Sequence, residues 1–267
     1  MRLGIGSYCY TWAHGVEGGV RPEKPLSAFD LLDRCVELGV RAVQFGPNLA
    51  LEELDLEALA EKACASGIVV EAGIIGLDVE SIRRGAALCR RLGARLLRTI
   101  DSYDAPPRST GELQWLLRAS LPVLESSGIV LAVENSRTPA RRMAEALDVI
   151  GSPHLGVTLD TVNSLAVPEG TEEVVRALAR HTLCVHVKDF RVSRIWHRMG
   201  FVVEGAPAGA GQLDIAWLLE RVRENGRSPN VILELWVPQQ STLEETIALE
   251  AAWVRASVEF LRGLIPE

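Results

Sequence analysis

Short apolar, β-branched runs alternate along this chain with longer stretches in which apolar residues recur at helical spacing. The runs are Leu3–Tyr8, Val40–Phe45, Ile68–Ile74, Ala94–Ile100, Ile129–Glu134, Leu155–Asp160, Leu183–Lys188 and Val231–Trp236. Nearly continuous apolar character over so few residues predicts strands buried on both faces, as in a parallel sheet. Between them lie predicted helices at Ser27–Leu38, Leu54–Ser66, Ser81–Leu92, Glu112–Ser126, Ala140–Ile150, Thr171–Arg180, Ile215–Asn225 and Leu243–Leu264. Gly39, Gly67, Gly93, Gly128 and Gly226 follow helical stretches and act as stop signals, because glycine accepts the left-handed conformation that ends a helix.

Eight strand–helix units in strict alternation predict an α/β fold, a closed (β/α)₈ TIM barrel forming a single domain over residues 1–267. An open doubly wound sheet usually carries a glycine-rich phosphate loop after its first strand, and no G-x-G-x-x-G occurs there. Two connections exceed the usual few residues, near 9–26 and 189–214. Both fall on the face where barrel enzymes keep their active sites. The second, with Gly205, Gly209 and Gly211 beside Pro207, is expected to be a lid-like loop without structure of its own.

Composition narrows the function. A net charge of −7 and a pI near 5.4 make nucleic acid or an anionic membrane a poor partner. No apolar run is long enough to span a bilayer, and the N-terminal residues lack the pattern of an export signal. Five scattered cysteines without a C-x-x-C pair suggest neither a disulfide framework nor a zinc knuckle. The expectation is a soluble, cytoplasmic protein acting on a small molecule. A homodimer is the common default for such an enzyme.

The chemistry gathers at the ends of the last four predicted strands. Glu134 ends the fifth, Asp160 the sixth, His186 lies near the end of the seventh, and Glu234 stands in the eighth. Strand ends converge at one rim of a barrel, so three carboxylates and an imidazole would meet there. Packed together in a dry site, three carboxylates would repel one another at a cost of several kcal/mol. One divalent metal ion removes the difficulty. Oxygen ligands with one imidazole and no thiolate suit Mn²⁺ first, with Mg²⁺, Co²⁺ or Zn²⁺ also acceptable.

The pattern Glu134-Asn135, Asp160-Thr161-Val162-Asn163, His186-Val187-Lys188-Asp189 and Glu234 resembles the xylose-isomerase-like barrels of the sugar-phosphate isomerase/epimerase family, over essentially the whole chain. The resemblance implies a metal-dependent isomerase or epimerase of a small sugar or sugar acid. It makes Glu134, Asp160, His186 and Glu234 the ligands, with Glu134 and Glu234 also exchanging protons with opposite faces of the substrate carbon by way of an enediolate. One position departs from the epimerases, which carry a histidine where Asn163 stands here. The stretch Met199–Asp214 is similar to a subgroup that includes decarboxylases of 3-oxo sugar acids such as 3-oxo-isoapionate, so a lyase using the same metal is the alternative. An apurinic-site endonuclease of the same superfamily would need several further histidines at its metals, and only five occur in the chain. A non-catalytic barrel would have no use for four intact ligands.

Lys188, Arg191, Arg194, His197 and Arg198 form a local reversal of charge suited to a carboxylate or phosphate on the substrate. Trp196, Met199 and Phe201 are expected to form the apolar underside of that loop. Tyr8, Trp12, His14, Gln44, Glu71 and Arg98 are further candidates for the cavity wall.

Overall fold

A computed structural model describes residues 1–265 apart from 17, 103, 104 and 168. Strands β1 (Arg2–Gly6), β2 (Ala42–Phe45), β3 (Val69–Ile75), β4 (Leu96–Ile100), β5 (Val130–Glu134), β6 (Leu155–Asp160), β7 (Thr182–Val187) and β10 (Asn230–Leu233) close into one barrel in the order β1-β10-β7-β6-β5-β4-β3-β2. Among the described residues, neighbouring barrel strands run parallel. The remaining pair, β8 (Asp189–Arg194) and β9 (Phe201–Ala206), forms a separate antiparallel hairpin.

Helices α2 (Ala28–Leu38), α3 (Leu56–Ala65), α4 (Val79–Leu92), α5 (Thr110–Ser127), α6 (Ala140–Ile150), α7 (Thr171–Leu178), α8 (Ile215–Glu224) and α9 (Leu243–Arg262) surround the barrel; a short α1 (Thr11–His14) lies in the first connection. Their starts are written locally. Ser27 with Asp30, Ser109 with Glu112 and Thr242 with Glu245 form capping boxes, in which the two side chains satisfy backbone N–H groups that the first turn leaves unpaired. The five glycines read as stop signals all adopt positive φ, between 64° and 71°. Leu31, Leu59, Ile82, Leu117, Leu147, Val175, Leu218 and Val254 turn the helices' apolar faces onto the outside of the sheet.

Two expectations need correction. β1 stops at Gly6; Ser7–Tyr10 turns into a 3₁₀ segment that leads directly into α1, so the first connection is partly helical. The 189–214 segment is likewise no structureless loop. Its arms pair from Asp189 with Ala206 to Arg194 with Phe201. The root of the hairpin is organised by the buried Asp189 carboxylate, which accepts the N–H groups of Phe190, Gly209, Gly211 and Leu213 at 2.8 to 3.1 Å. At Gly205 a β-carbon would come within 1.6 Å of the Trp236 indole, so glycine there allows the hairpin to lie against the end of the eighth barrel strand.

Candidate metal and substrate site

The period of two along a strand builds the site. Ala42, Leu96, Cys184 and Ile232 meet as an apolar layer inside the barrel. Two residues further along the same four strands come Gln44, Arg98, His186 and Glu234, which therefore face the interior one layer closer to the C-terminal rim. Glu134 and Asp160 end β5 and β6 at this level, Asp160 in register with His186. All six side chains are buried.

His186 Nδ1 lies 3.3 Å from Glu134 Oε2, 3.5 Å from Glu234 Oε1 and 3.7 Å from Asp160 Oδ2. One donor atom each from Glu134, Asp160 and His186 falls within a mutual 4.8 Å. Among the described residues Nδ1 has no hydrogen-bond partner. A buried imidazole nitrogen aimed at three carboxylate oxygens is a donor set that fits a divalent cation. Local hydrogen bonds orient the carboxylates. Asp160 Oδ1 accepts the backbone N–H groups of Val162 and Asn163, both at 2.8 Å, which turns Oδ2 toward the centre. Asn135 ties the two strand ends together, accepting from Asp160 N at 2.8 Å and donating to Asp160 O and Ser164 Oγ at 2.9 Å. The Glu134-Asn135 pair thus supplies a ligand candidate and the brace beside it.

Two cations complete the centre. Lys188 Nζ lies 2.8 Å from Asp160 Oδ2 and 2.9 Å from Glu234 Oε2. Arg98 Nε donates to Glu134 Oε2, while Asn163 Nδ2 donates to Glu134 Oε1. Burial would raise the Glu134 pKa, but the Arg98 guanidinium and His186 outweigh it and hold the carboxyl well below its usual range. For Asp160 burial again pushes up, and Lys188 more than offsets it. Burial opposes charge on His186 and Lys188, yet the surrounding carboxylates raise both pKa values well above normal, Glu234 and Glu134 acting on His186 and Asp160 and Glu234 on Lys188.

A cavity of about 500 Å³ opens onto this centre. Its wall includes Tyr8, Trp12, Arg98, Glu134, Asn163, Lys188 and Glu234, together with Thr11, Ile100, Ser136 and Trp236, which the sequence reading did not single out. Ile100 and Trp236 stand at or just past barrel-strand ends, and that position was the available signal.

Other residues fall elsewhere. Arg191 reaches back to Ala210 O, Arg194 stacks over Phe201, and Arg198, exposed at the turn with φ 61°, accepts a hydrogen bond from Arg194. His197 stacks edge-on against Trp196. The hairpin carries these side chains away from the cavity, so of the basic cluster only Lys188 is among its lining. Trp196, Met199 and Phe201 are 92%, 86% and 62% exposed and form no underside. Gln44, in the same layer as His186, and Glu71, hydrogen-bonded to it, are buried inside the barrel and are not among the cavity lining. His14 is buried against the backbone of Leu26, pinning the first connection, and burial lowers its pKa.

Trp12 is held by its Nε1–H, which donates to Val237 O at 2.8 Å, and by Glu250 of α9. Glu250 accepts the N–H groups of Trp12 and Ala13 at 3.0 and 3.1 Å. Burial pushes the Glu250 pKa up to about 7 against the pull of those two bonds. The folded value therefore exceeds the unfolded one, the unfolded chain ionises first, and stability falls as pH rises from the ordinary carboxylate range to about 7. The full effect is about 3 kcal/mol. Denaturant unfolding at about pH 4 and pH 8 should show the stability of the wild type, relative to Glu250→Gln, dropping by that order over the interval; parallel curves would contradict it.

The family model described as xylose isomerase-like TIM barrel matches residues 32–264. The chain belongs to this family. A 3-oxo-isoapionate decarboxylase from Pectobacterium atrosepticum is 33% identical over 265 residues, 98% of this chain and 95% of the relative. Among solved structures, D-psicose 3-epimerase from Clostridium cellulolyticum, determined with D-tagatose, matches with a TM-score of 0.73 at 13% identity over 99% of both chains. The IOLI protein with a bound zinc atom matches with a TM-score of 0.74 at 16% identity over the whole of both. These two likenesses speak to the fold. The relatives that bear an activity in their names are enzymes acting on sugars or sugar acids. Among the described residues no helix is long and apolar enough to cross a membrane.

Proposed function

We propose that this protein is a divalent-metal-dependent decarboxylase of a small 3-oxo sugar acid, with Glu134, Asp160, His186 and Glu234 holding the metal. The observation that carries the reading is the engagement of both Glu134 oxygens, by Arg98 and by Asn163. An epimerase of the two-glutamate kind needs each carboxylate free to take or return a proton. A carboxylate tied to a buried guanidinium is a poor base. Loss of CO₂ needs no such base: the carbon–carboxylate bond breaks, its electron pair passes into the 3-oxo group as an enediolate, and one proton is then returned to carbon. The Lys188 ammonium lines the cavity and is the group at hand to return it.

The charge count points the same way. Three carboxylates, Arg98, Lys188 and a divalent ion leave one positive charge over when His186 is neutral, and a buried excess charge favours an anionic substrate. When bound, the metal supplies Lewis-acid charge for the oxygen on which negative charge develops. The curated relative is a decarboxylase of this substrate class. Manganese is the first choice on donor chemistry.

Isomerisation or epimerisation of a small sugar is the second reading, supported by Glu134 and Glu234, which both approach His186 Nδ1. The test is incubation of purified protein and Mn²⁺ with 3-oxo-isoapionate and, separately, with ketohexoses. Stoichiometric CO₂ from the acid with inert ketohexoses is the expected result. Solvent deuterium entering a ketohexose with no loss of carbon would replace this reading by the second.

A further inference from the structure

Behind His186, the barrel interior holds a chain of polar side chains that meets the cavity lining only through His186 and ends on the half-buried Asn230. His186 Nε2 lies 2.8 Å from Gln44 Oε1. Gln44 Nε2 donates to Glu71 Oε2 at 2.9 Å, and Glu71 Oε1 accepts from Asn230 Nδ2 at 2.7 Å. The Cys184 thiol also donates to Glu71 Oε2, at 3.4 Å. Gln44 and Glu71 are 2% and 1% exposed and His186 is fully buried, so water does not compete for the bonds from His186 through Gln44 to Glu71.

Each step fixes the next. Two donors besides Gln44, Asn230 Nδ2 and the Cys184 thiol, point at the Glu71 carboxylate, so its oxygens act as acceptors. Gln44 turns its amide nitrogen toward Glu71 Oε2 and Cys184 Sγ and its oxygen toward His186. An oxygen facing Nε2 requires a proton there. The lone pair of the neutral ring then stands on Nδ1, the atom that faces Glu134, Asp160 and Glu234 and has no hydrogen-bond partner among the described residues.

We infer that Gln44, itself oriented by Glu71, is a positioning residue that sets the tautomer of His186 and presents Nδ1 to the cation. The inference rests on reading the centre as a metal site. It gives a purpose to a buried carboxylate that sits a layer below the ligands and cannot reach the substrate. A polar chain of this kind costs desolvation, whereas leucine or methionine would fill the same volume without that cost. Partners that fix the second nitrogen of a ligating histidine typically account for roughly 10–100-fold in metal affinity.

Two substitutions separate positioning from mere packing. Gln44→Leu keeps the approximate volume and removes the acceptor. Glu71→Gln touches neither His186 nor any ligand, but its amide can donate to Gln44 Oε1 and let that side chain turn over, placing a donor against Nε2 and driving the ring proton to Nδ1. Zn²⁺ affinity is measured by competition with a chromophoric chelator, and the ring protonation pattern of the Zn²⁺-loaded protein by long-range ¹H–¹⁵N spectra, with circular dichroism to show that each variant is folded. The expected results are a protonated Nε2 in the wild type and Zn²⁺ affinity lowered roughly 10–100-fold in Gln44→Leu and about tenfold in Glu71→Gln. Folded variants with wild-type affinity, or a wild-type ring protonated at Nδ1, would overturn the inference while leaving the metal site standing. Wild-type protein that takes up no Zn²⁺ overturns both.

Discussion

Replacing Arg98 with methionine is expected to cost about 3–5 kcal/mol of stability in the presence of chelator, because it leaves the Glu134 carboxylate buried without its cation. Arg98 and Glu134 are 3% exposed, and Arg98 donates directly to Glu134. For a chain of this size the loss corresponds to a fall in melting temperature of roughly 6–15 °C. A divalent ion should restore part of it, since the cation then neutralises the same carboxylate. The charge left over in the loaded site also falls from one to zero, so KM for a sugar acid should rise about tenfold or more. Calorimetry with and without Mn²⁺ reads the first effect and initial rates the second. A variant as stable as the wild type in chelator would show that the pair does not do this work.

Glu234→Gln is expected to lower turnover about 10³-fold, the equivalent of roughly 4 kcal/mol of transition-state stabilisation, and to weaken metal binding with it. The fold should survive. Gln is isosteric with Glu, and Lys188 keeps its partner Asp160 at 2.8 Å. Lys188→Met should behave differently, losing turnover while the loaded protein keeps its metal, because the ammonium is no ligand. Metal content and single-turnover rates measured on the same preparations separate the two cases. Full metal occupancy with full activity in Glu234→Gln would remove that residue from both roles.

Much of this centre was legible because carboxylates are conspicuous where they end apolar runs. Ile129–Glu134 and Leu155–Asp160 are buried up to the acid except at the half-buried Val130, and a barrel brings such ends together. Depth and direction were less legible. Glu71 and Arg98 both lie within strands, yet Glu71 is the third residue of the seven in β3 and stays below the cavity, whereas Arg98 stands one layer nearer the rim; that distinction needs the register, which periodicity alone does not supply. The hairpin escaped notice for another reason. Its Val192, Val202, Val203 and Phe201 are exposed, so no alternation of buried and solvated positions marks β8 and β9 as strands. The same geometry undid the expected basic cluster. A hairpin that leaves the barrel takes Arg191, His197 and Arg198 with it, and the positive charge that faces the cavity comes from Arg98 on the fourth strand and Lys188 just past the seventh.

The most direct measurement is anomalous diffraction from crystals grown with Mn²⁺, recorded on both sides of the manganese edge. The expected result is one peak per chain, within coordinating distance of His186 Nδ1 and of oxygens from Glu134, Asp160 and Glu234. A map with no peak among these four side chains, from protein that is active in the same solution, would contradict the metal centre on which the proposed chemistry stands.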